Sequence, residues 1–398
     1  MSIIQRRTIL KGLTASAAVA ATGAFVAPRF AIGQTAKIKL GLMLPYTGTY
    51  AALGRNIDEA LRLAIAQQGG KLGDREIEYA VVDDQSDPPK GAENANKLVS
   101  GAKVDILIGT VHSGVVAAMV KVVHDSGTLL IIPNAGLEAA TGPLCAPNIF
   151  RTSFSNWQPA YAMGKVAAGR GWKRAVVISW DYAAGKESTG GFAEAFTAGG
   201  GKIDKELYLP FPQVEFQPLL TEIASLKPDV VYAFFAGGGA VKFLKDYAAA
   251  GLRKSVPLVG PGFLTDGTLQ AAGDAAQGLE TTLHYADGLD LPKDKEFRAA
   301  FKQATTREAD VYAVQGYDTG QLLVAGLNAV RGNVGAKTDL IAAWEKAVID
   351  SPRGRFTLSK AHNPIQDFYL RKVQGLDNRY VSVAVKALAD PARGCKMA

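Results

Sequence analysis

The chain has 398 residues, is 48% hydrophobic and 20% charged, and carries a formal net charge of +7. That length gives about two domains once a leader is set aside. No Lys/Arg cluster with interleaved aromatics occurs, which argues against a nucleic-acid partner.

Residues 1–33 read as a cleavable export leader. Arg6-Arg7 and Lys11 precede a short, alanine-rich apolar run, Arg29 follows it, and small residues lie at Ala31-Ile32-Gly33. The paired arginines fit the twin-arginine type. The apolar run is shorter than the roughly 20 residues that span a bilayer, and no later stretch is long enough. Removing the leader's four cations from 44 leaves 40 against 37 anions, a net of +3. A periplasmic location is expected. There the two cysteines, Cys145 and Cys395, read most simply as one disulfide clipping the C-terminal tail to the middle of the chain.

The mature sequence alternates short apolar runs with amphipathic segments. Strands are expected at 37–45, 76–82, 104–109 and 129–133, with helices at 54–68, 90–99 and 115–124. The rhythm restarts with strands at 174–180, 202–208, 229–235 and 256–260, and helices at 185–198, 218–226 and 241–250. Helices follow at 294–304, 312–330 and 337–349. The end reads as antiparallel strands at 356–358, 366–373 and 380–386. Such alternation predicts an α/β protein of two lobes, each a mostly parallel sheet flanked by helices.

Ligands of open α/β sheets bind beyond the carboxyl ends of the strands. The loops there are 44–50, 110–114, 133–136, 180–185, 236–239 and 261–266. They are rich in glycine, hydroxyls and aromatics and poor in charge, which suits a neutral or anionic organic ligand. Catalysis is not expected. The four histidines (His112, His124, His284, His362) make no zinc-ligand spacing, and no nucleophile elbow or phosphate loop occurs. His112 beside Ser113 is a poor nucleophile–base pair because loop neighbours rarely face each other. Asp83-Asp84 reads as a capping and turn segment. No metal or cofactor is expected.

At these loops the sequence resembles the periplasmic solute-binding proteins of the branched-chain amino-acid transport family. The carrying segments are IKLGLMLPYTG (38–48), VVDDQSDP (81–88), IGTVHS (108–113), IIPNA (131–135), FRTS (150–153), KPDVVY (227–232) and VGPG (259–262). The resemblance implies the two-lobed, type I periplasmic-binding-protein fold. Lobe 1 would be 37–151 plus 282–352, lobe 2 would be 152–281 plus 353–390, and 391–398 would form a tail. Three hinge crossovers would lie near Ile149–Ser155, Leu279–Ala286 and Arg353–Leu358. It further implies a monomer that delivers its ligand to the membrane permease of an ABC importer after hinge closure.

In that family a serine hydroxyl and backbone amides hold the ligand carboxylate. The matching positions are Ser113 with Val111 and His112, then Asn134, Ala135 and Gly136; Ser113 also reads as a helix N-cap. Amino-acid binders place a glutamate after Gly-Pro to pair with the ammonium, and here Gly262 and Phe263 follow Gly260-Pro261. An unpaired ammonium in a closed cleft costs about 3 to 5 kcal/mol. The expected ligand is therefore a small carboxylate without an amine, an aromatic acid of the benzoate type. Tyr46, Trp157, Trp180, Tyr182, Phe235, Phe263 and Tyr285 are the candidate wall, each also readable as core. Asp181, Asp266 and Glu138 are the acids that could replace the missing glutamate. An aliphatic amino-acid, amide or urea binder, or a sensor reporting to a receptor, are the rival readings.

Overall fold

The computed structural model describes residues 36–398; the expected leader lies outside the described residues. No helix among the described residues is long and apolar enough to cross a membrane.

Lobe 1 runs β1 (Ile38–Leu44), α1 (Ala51–Ala66), β2 (Ile77–Asp83), α2 (Pro88–Asn96), β3 (Ile106–Gly109), α3 (Ser113–Ser126), β4 (Leu129–Ile132), the short α4 (Glu138–Thr141) and β5 (Ile149–Arg151). The strands form one parallel sheet in the order β2-β1-β3-β4-β5. Strands β3 and β4 are buried throughout, as expected of runs covered on both faces.

Lobe 2 continues with α5 (Trp157–Gly169), β6 (Arg174–Trp180), α6 (Ala183–Ala198), β7 (Lys202–Leu209), α7 (Gln217–Leu226), β8 (Val230–Phe234), α8 (Gly237–Ala249), β9 (Leu258–Pro261), the short α9 (Leu269–Ala272) and β10 (Glu280–Leu283). Its parallel strands lie in the order β7-β6-β8-β9-β10, the same winding as lobe 1 with every number raised by five. The chain then returns to lobe 1 for α10 (Pro292–Thr305), α11 (Val311–Ala329) and α12 (Lys337–Glu345). Leu322, Leu323, Leu327, Leu340 and Trp344 pack there with Ile38, Leu40 and Leu42 of β1. Last come β11 (Thr357–Leu358), β12 (Pro364–Gln374) and β13 (Asp377–Leu388), which extend the second sheet antiparallel to β10.

Thr282 and Leu283, expected to open the return to lobe 1, lie in β10 and pair with lobe-2 partners. Helix α5 has no counterpart in the expected series, and α12 stops four residues early. The alanines of α5 give it little amphipathic contrast, because it is covered by α6 on one side and the sheet on the other.

Two close approaches fix the helix that follows each lobe's first strand against that strand. A Cβ on Gly54 of α1 would lie 2.0 Å from the Pro45 carbonyl oxygen, and one on Gly185 of α6 would lie 1.9 Å from that of Trp180. Only glycine lets the helix begin so near the strand end. The crossovers are pinned by buried arginines. Arg151 donates to Asn363 Oδ1 (2.6 Å) and the Leu137 carbonyl (2.7 Å). Arg353 donates to the Thr152 carbonyl (2.6 Å) and pairs with Asp318 (3.0 Å). Burial lowers Arg151 to about 10 and raises Asp318 to about 7. Cys145 and Cys395 form the disulfide, with Cα atoms 5.5 Å apart, and tie the tail that follows β13 to the loop after α4.

Candidate ligand cleft

The equal winding of the two sheets turns the carboxyl ends of both toward each other. Between them lies a small cavity of about 20 Å³. Lobe 1 supplies Tyr50, Val111, Ser113, Asn134 and Gly136 from the ends of β1, β3 and β4. Lobe 2 supplies Tyr182, Phe234, Ala236 and Phe263 from the ends of β6, β8 and β9. Phe154 and Asn156 enter from the first crossover, and Tyr312 from the start of α11. The lobes meet across it: the Tyr50 and Tyr182 hydroxyls are 3.1 Å apart, and the His112 ring stacks on Tyr182 at 4.6 Å. The arrangement is a closed one. A wider groove, about 310 Å³, lies on lobe 2 alone beside Arg170, Trp172 and Arg253, at the amino ends of β9 and β10, away from these loops.

Six expected contact residues line the cavity: Val111, Ser113, Asn134, Gly136, Tyr182 and Phe263. Ser113 is the first residue of α3 and does not cap it. The cap is His112, whose Nδ1 accepts the Gly114 N–H (3.1 Å), leaving the Ser113 hydroxyl to accept from Asn156 Nδ2 (3.3 Å). Burial pushes His112 down to about 4, so its ring is neutral at pH 7.

Eight others stand outside the lining, Gly262 among them. Tyr46 donates its hydroxyl to Asp58 (3.0 Å) and its N–H to Asp83 (2.9 Å), within lobe 1. His112 serves as cap and stacking partner, and Ala135 belongs to the lobe-1 core. Trp157 donates to Glu194 (2.8 Å) and Tyr285 to Asp294 (2.8 Å). Phe235 packs edge-on against Trp180 and Phe216, in the lobe-2 core, while its neighbour Phe234 faces the cavity. One residue of pleat separates the two faces. Trp180 is core as well, fully buried with Nε1 on the Gln213 carbonyl (2.8 Å).

Gly262 explains the missing acid in physical terms. A Cβ there would lie 2.2 Å from Nη2 of Arg371 and 2.7 Å from Leu283. The Arg371 guanidinium fills that space, donating to Asp266 (2.6 Å), the Tyr285 carbonyl (2.9 Å) and Thr281. Asp266 is thus held by a cation, although burial still raises its pKa. Asp181 pairs with Lys186 (2.8 Å) at the surface. Glu138 receives no ligand-side role either: its N–H donates to Glu187 (3.2 Å), and burial lifts both carboxyls to about 7. None of the three lines the cavity.

Tyr50, Phe154, Asn156, Phe234 and Tyr312 went unread in the sequence. Tyr50 and Asn156 sit in loops after strands, where the open-sheet rule looks. Tyr312 follows Asp310, the side-chain cap of α11, which accepts the Ala313 N–H (2.9 Å). The Tyr312 hydroxyl is buried without a hydrogen-bond partner. A cavity with hydroxyl and amide groups from one lobe, and phenyl rings from the other, has the chemistry to hold a polar head and an apolar ring. Asp83-Asp84 forms the expected turn, each carboxylate accepting an N–H and a threonine hydroxyl, but it caps no helix, since the N-cap of α2 is Asp87.

The family model for periplasmic binding proteins matches residues 37–378. A solute-binding protein of an ABC transporter from R. palustris, solved in complex with benzoate, is 52% identical with a TM-score of 0.89. The match covers 91% of this chain and 100% of that one. A second, from Rhodopseudomonas palustris BisB5 in complex with 3,4-dihydroxy benzoic acid, is 32% identical with a TM-score of 0.84, over 89% and 99%. A Leu/Ile/Val-binding protein homolog of Brucella melitensis is 28% identical over 86% of this chain and 88% of its own. This chain belongs to the periplasmic binding protein family.

Proposed function

We propose that this protein is the exported solute-binding component of an ABC importer, and that it captures a monocyclic aromatic carboxylate by closing its two lobes. The observation that carries this reading is the Gly262–Arg371 packing. The position from which an acid would neutralise a ligand amine is filled by a guanidinium already paired with Asp266. The relatives solved with benzoate and a dihydroxybenzoate support the same ligand class.

In this reading the carboxylate meets Ser113 at the start of α3, where helix N–H dipoles favour an anion, with Asn134 and Gly136 of the loop after β4 beside it. The ring lies among Phe154, Phe234 and Phe263, and the unpartnered Tyr312 hydroxyl is a free donor at the wall. Burying about 120 Å² of ring at ~25 cal/mol/Å² gives about 3 kcal/mol. Two or three charge-assisted hydrogen bonds add roughly 1.5 to 3 kcal/mol each before ordering costs. Micromolar affinity, about 8 kcal/mol, is therefore within reach. Export through the leader, a monomeric state and hand-over to a membrane permease complete the proposal; no catalytic step is assigned.

Calorimetry of the full mature chain with benzoate, 4-hydroxybenzoate, 3,4-dihydroxybenzoate and leucine tests it. The aromatic acids should bind and leucine should not; tighter binding of leucine would overturn the ligand assignment.

A further inference from the structure

Behind the cavity, three side chains make a line of hydrogen bonds to the hinge. Asn134 lines the cavity and gives its Nδ2 to Gln315 Oε1 (2.6 Å). Gln315 Nε2 in turn lies 3.2 Å from His284 Nε2. Gln315 and His284 are almost wholly buried, and His284 also stacks near Phe154 at 5.6 Å. Its far nitrogen, Nδ1, has no partner. His284 lines a second cavity of about 250 Å³ between the crossovers, with Arg353 and Gln366. Burial, then Arg353 and Arg371, hold the imidazole well below its usual range, so it is neutral at pH 7.

A neutral imidazole carries one proton, on either nitrogen, and a neighbour normally decides which. Here Nδ1 has no such neighbour, so the choice rests with Gln315 alone. With the proton on Nδ1, Nε2 accepts from the Gln315 amide. Gln315 then turns its carbonyl to Asn134, which gives it one Nδ2 hydrogen, and the amide so turned directs its Oδ1 to the cavity. With the proton on Nε2, His284 donates to the Gln315 carbonyl. The Gln315 amide then donates to the Asn134 carbonyl, and Asn134 offers its Nδ2 donor to the cavity. Both arrangements keep the same two contacts, and exchanging them moves no backbone.

We infer that Gln315 and His284 are positioning residues that set whether Asn134 presents a donor or an acceptor to the ligand. The inference rests on the aromatic-acid reading of the cavity and deepens it. A carboxylate selects the donor arrangement, since two facing oxygens would repel. A neutral carboxamide, whose NH₂ needs an acceptor, selects the other. The cleft is thereby adapted to an acid and its amide alike, at one position, without a change of fold.

The test uses the full mature chain labelled with ¹⁵N in histidine. Long-range proton–nitrogen spectra report which ring nitrogen of His284 carries the proton, a signature that a merely structural role would leave fixed. Saturation with benzoate should give the Nε2–H form and saturation with benzamide the Nδ1–H form. In Gln315→Leu, still folded by its melting curve, the His284 signals should no longer distinguish the two ligands. The benzoate-to-benzamide affinity ratio should then change by roughly tenfold or more, the equivalent of one hydrogen bond to a charge. The same tautomer in both wild-type complexes overturns the inference while leaving the ligand class intact. Failure of benzoate to bind at all overturns both.

Discussion

The two walls of the cleft are wound from equivalent strands yet solve opposite problems. The lobe-1 wall offers Ser113, Asn134 and Gly136, small polar groups held at loop ends. The lobe-2 wall offers Tyr182, Phe234 and Phe263, and its charges, Arg371 and Asp266, face each other behind the surface. The first wall is complementary to an anion, and the second has no charge to spare for a cation. An equal topology thus fixes where a ligand sits, whereas the charge balance behind each wall decides what the ligand is.

The strongest way to break the contrast is to free the lobe-2 charge. Arg371→Met leaves Asp266 buried without its cation, and the expected loss is about 3 to 5 kcal/mol in chemical denaturation. Asp266→Asn with Arg371→Met should recover part of it; an unchanged single variant would show that the pair does not balance the wall. Ser113→Ala acts on the other side. Losing a hydroxyl that donates to a carboxylate costs about 1.5 to 3 kcal/mol, so benzoate should bind roughly 10- to 100-fold more weakly by calorimetry, with the melting point little altered. Phe263→Ala removes ring contact only. It should weaken benzoate by about 1 to 2 kcal/mol, and by similar factors for hydroxylated benzoates, because the lost area is apolar.

The sequence made the strand–helix series and the loops legible because periodicity and turn residues are local. Ser113, Asn134 and Gly136 were found by position in those loops. Gly262 was read as an absence, and only packing shows that Arg371, 109 residues later, occupies the space. Phe235 was preferred to Phe234 because a fully buried strand has no polar alternation to fix which face looks outward. Trp157 and Tyr285 are loop-flanking aromatics whose polar tips find acids elsewhere in their own surroundings. Helix α5 was missed for want of amphipathic contrast. Tyr312 and Gln315 come from the return segment, and nothing local says that α11 points its first turns at the cleft.

The smallest expected effect concerns the seam where the walls meet. Glu187 of α6 accepts from Asn156 Nδ2 (2.7 Å) and from the Glu138 N–H (3.2 Å), so it spans the lobes. Burial raises the carboxyls of Glu187 and Glu138 to about 7 from 4.5. A carboxyl whose pKa rises on folding binds its proton more tightly in the native state. Its contribution is full below about pH 4.5 and is lost as pH climbs through about 7. Glu187→Gln keeps one of the two acceptor oxygens and removes this titration. Between pH 6 and 8 the wild-type melting point should therefore fall more than that of the variant, by the equivalent of about 1 kcal/mol once residual solvent is allowed for. Asp318, also near 7, titrates in both proteins and cancels from the difference. Parallel melting curves across that range would mean the seam carries no proton-linked stability, and that the contrast between the walls ends at the cavity.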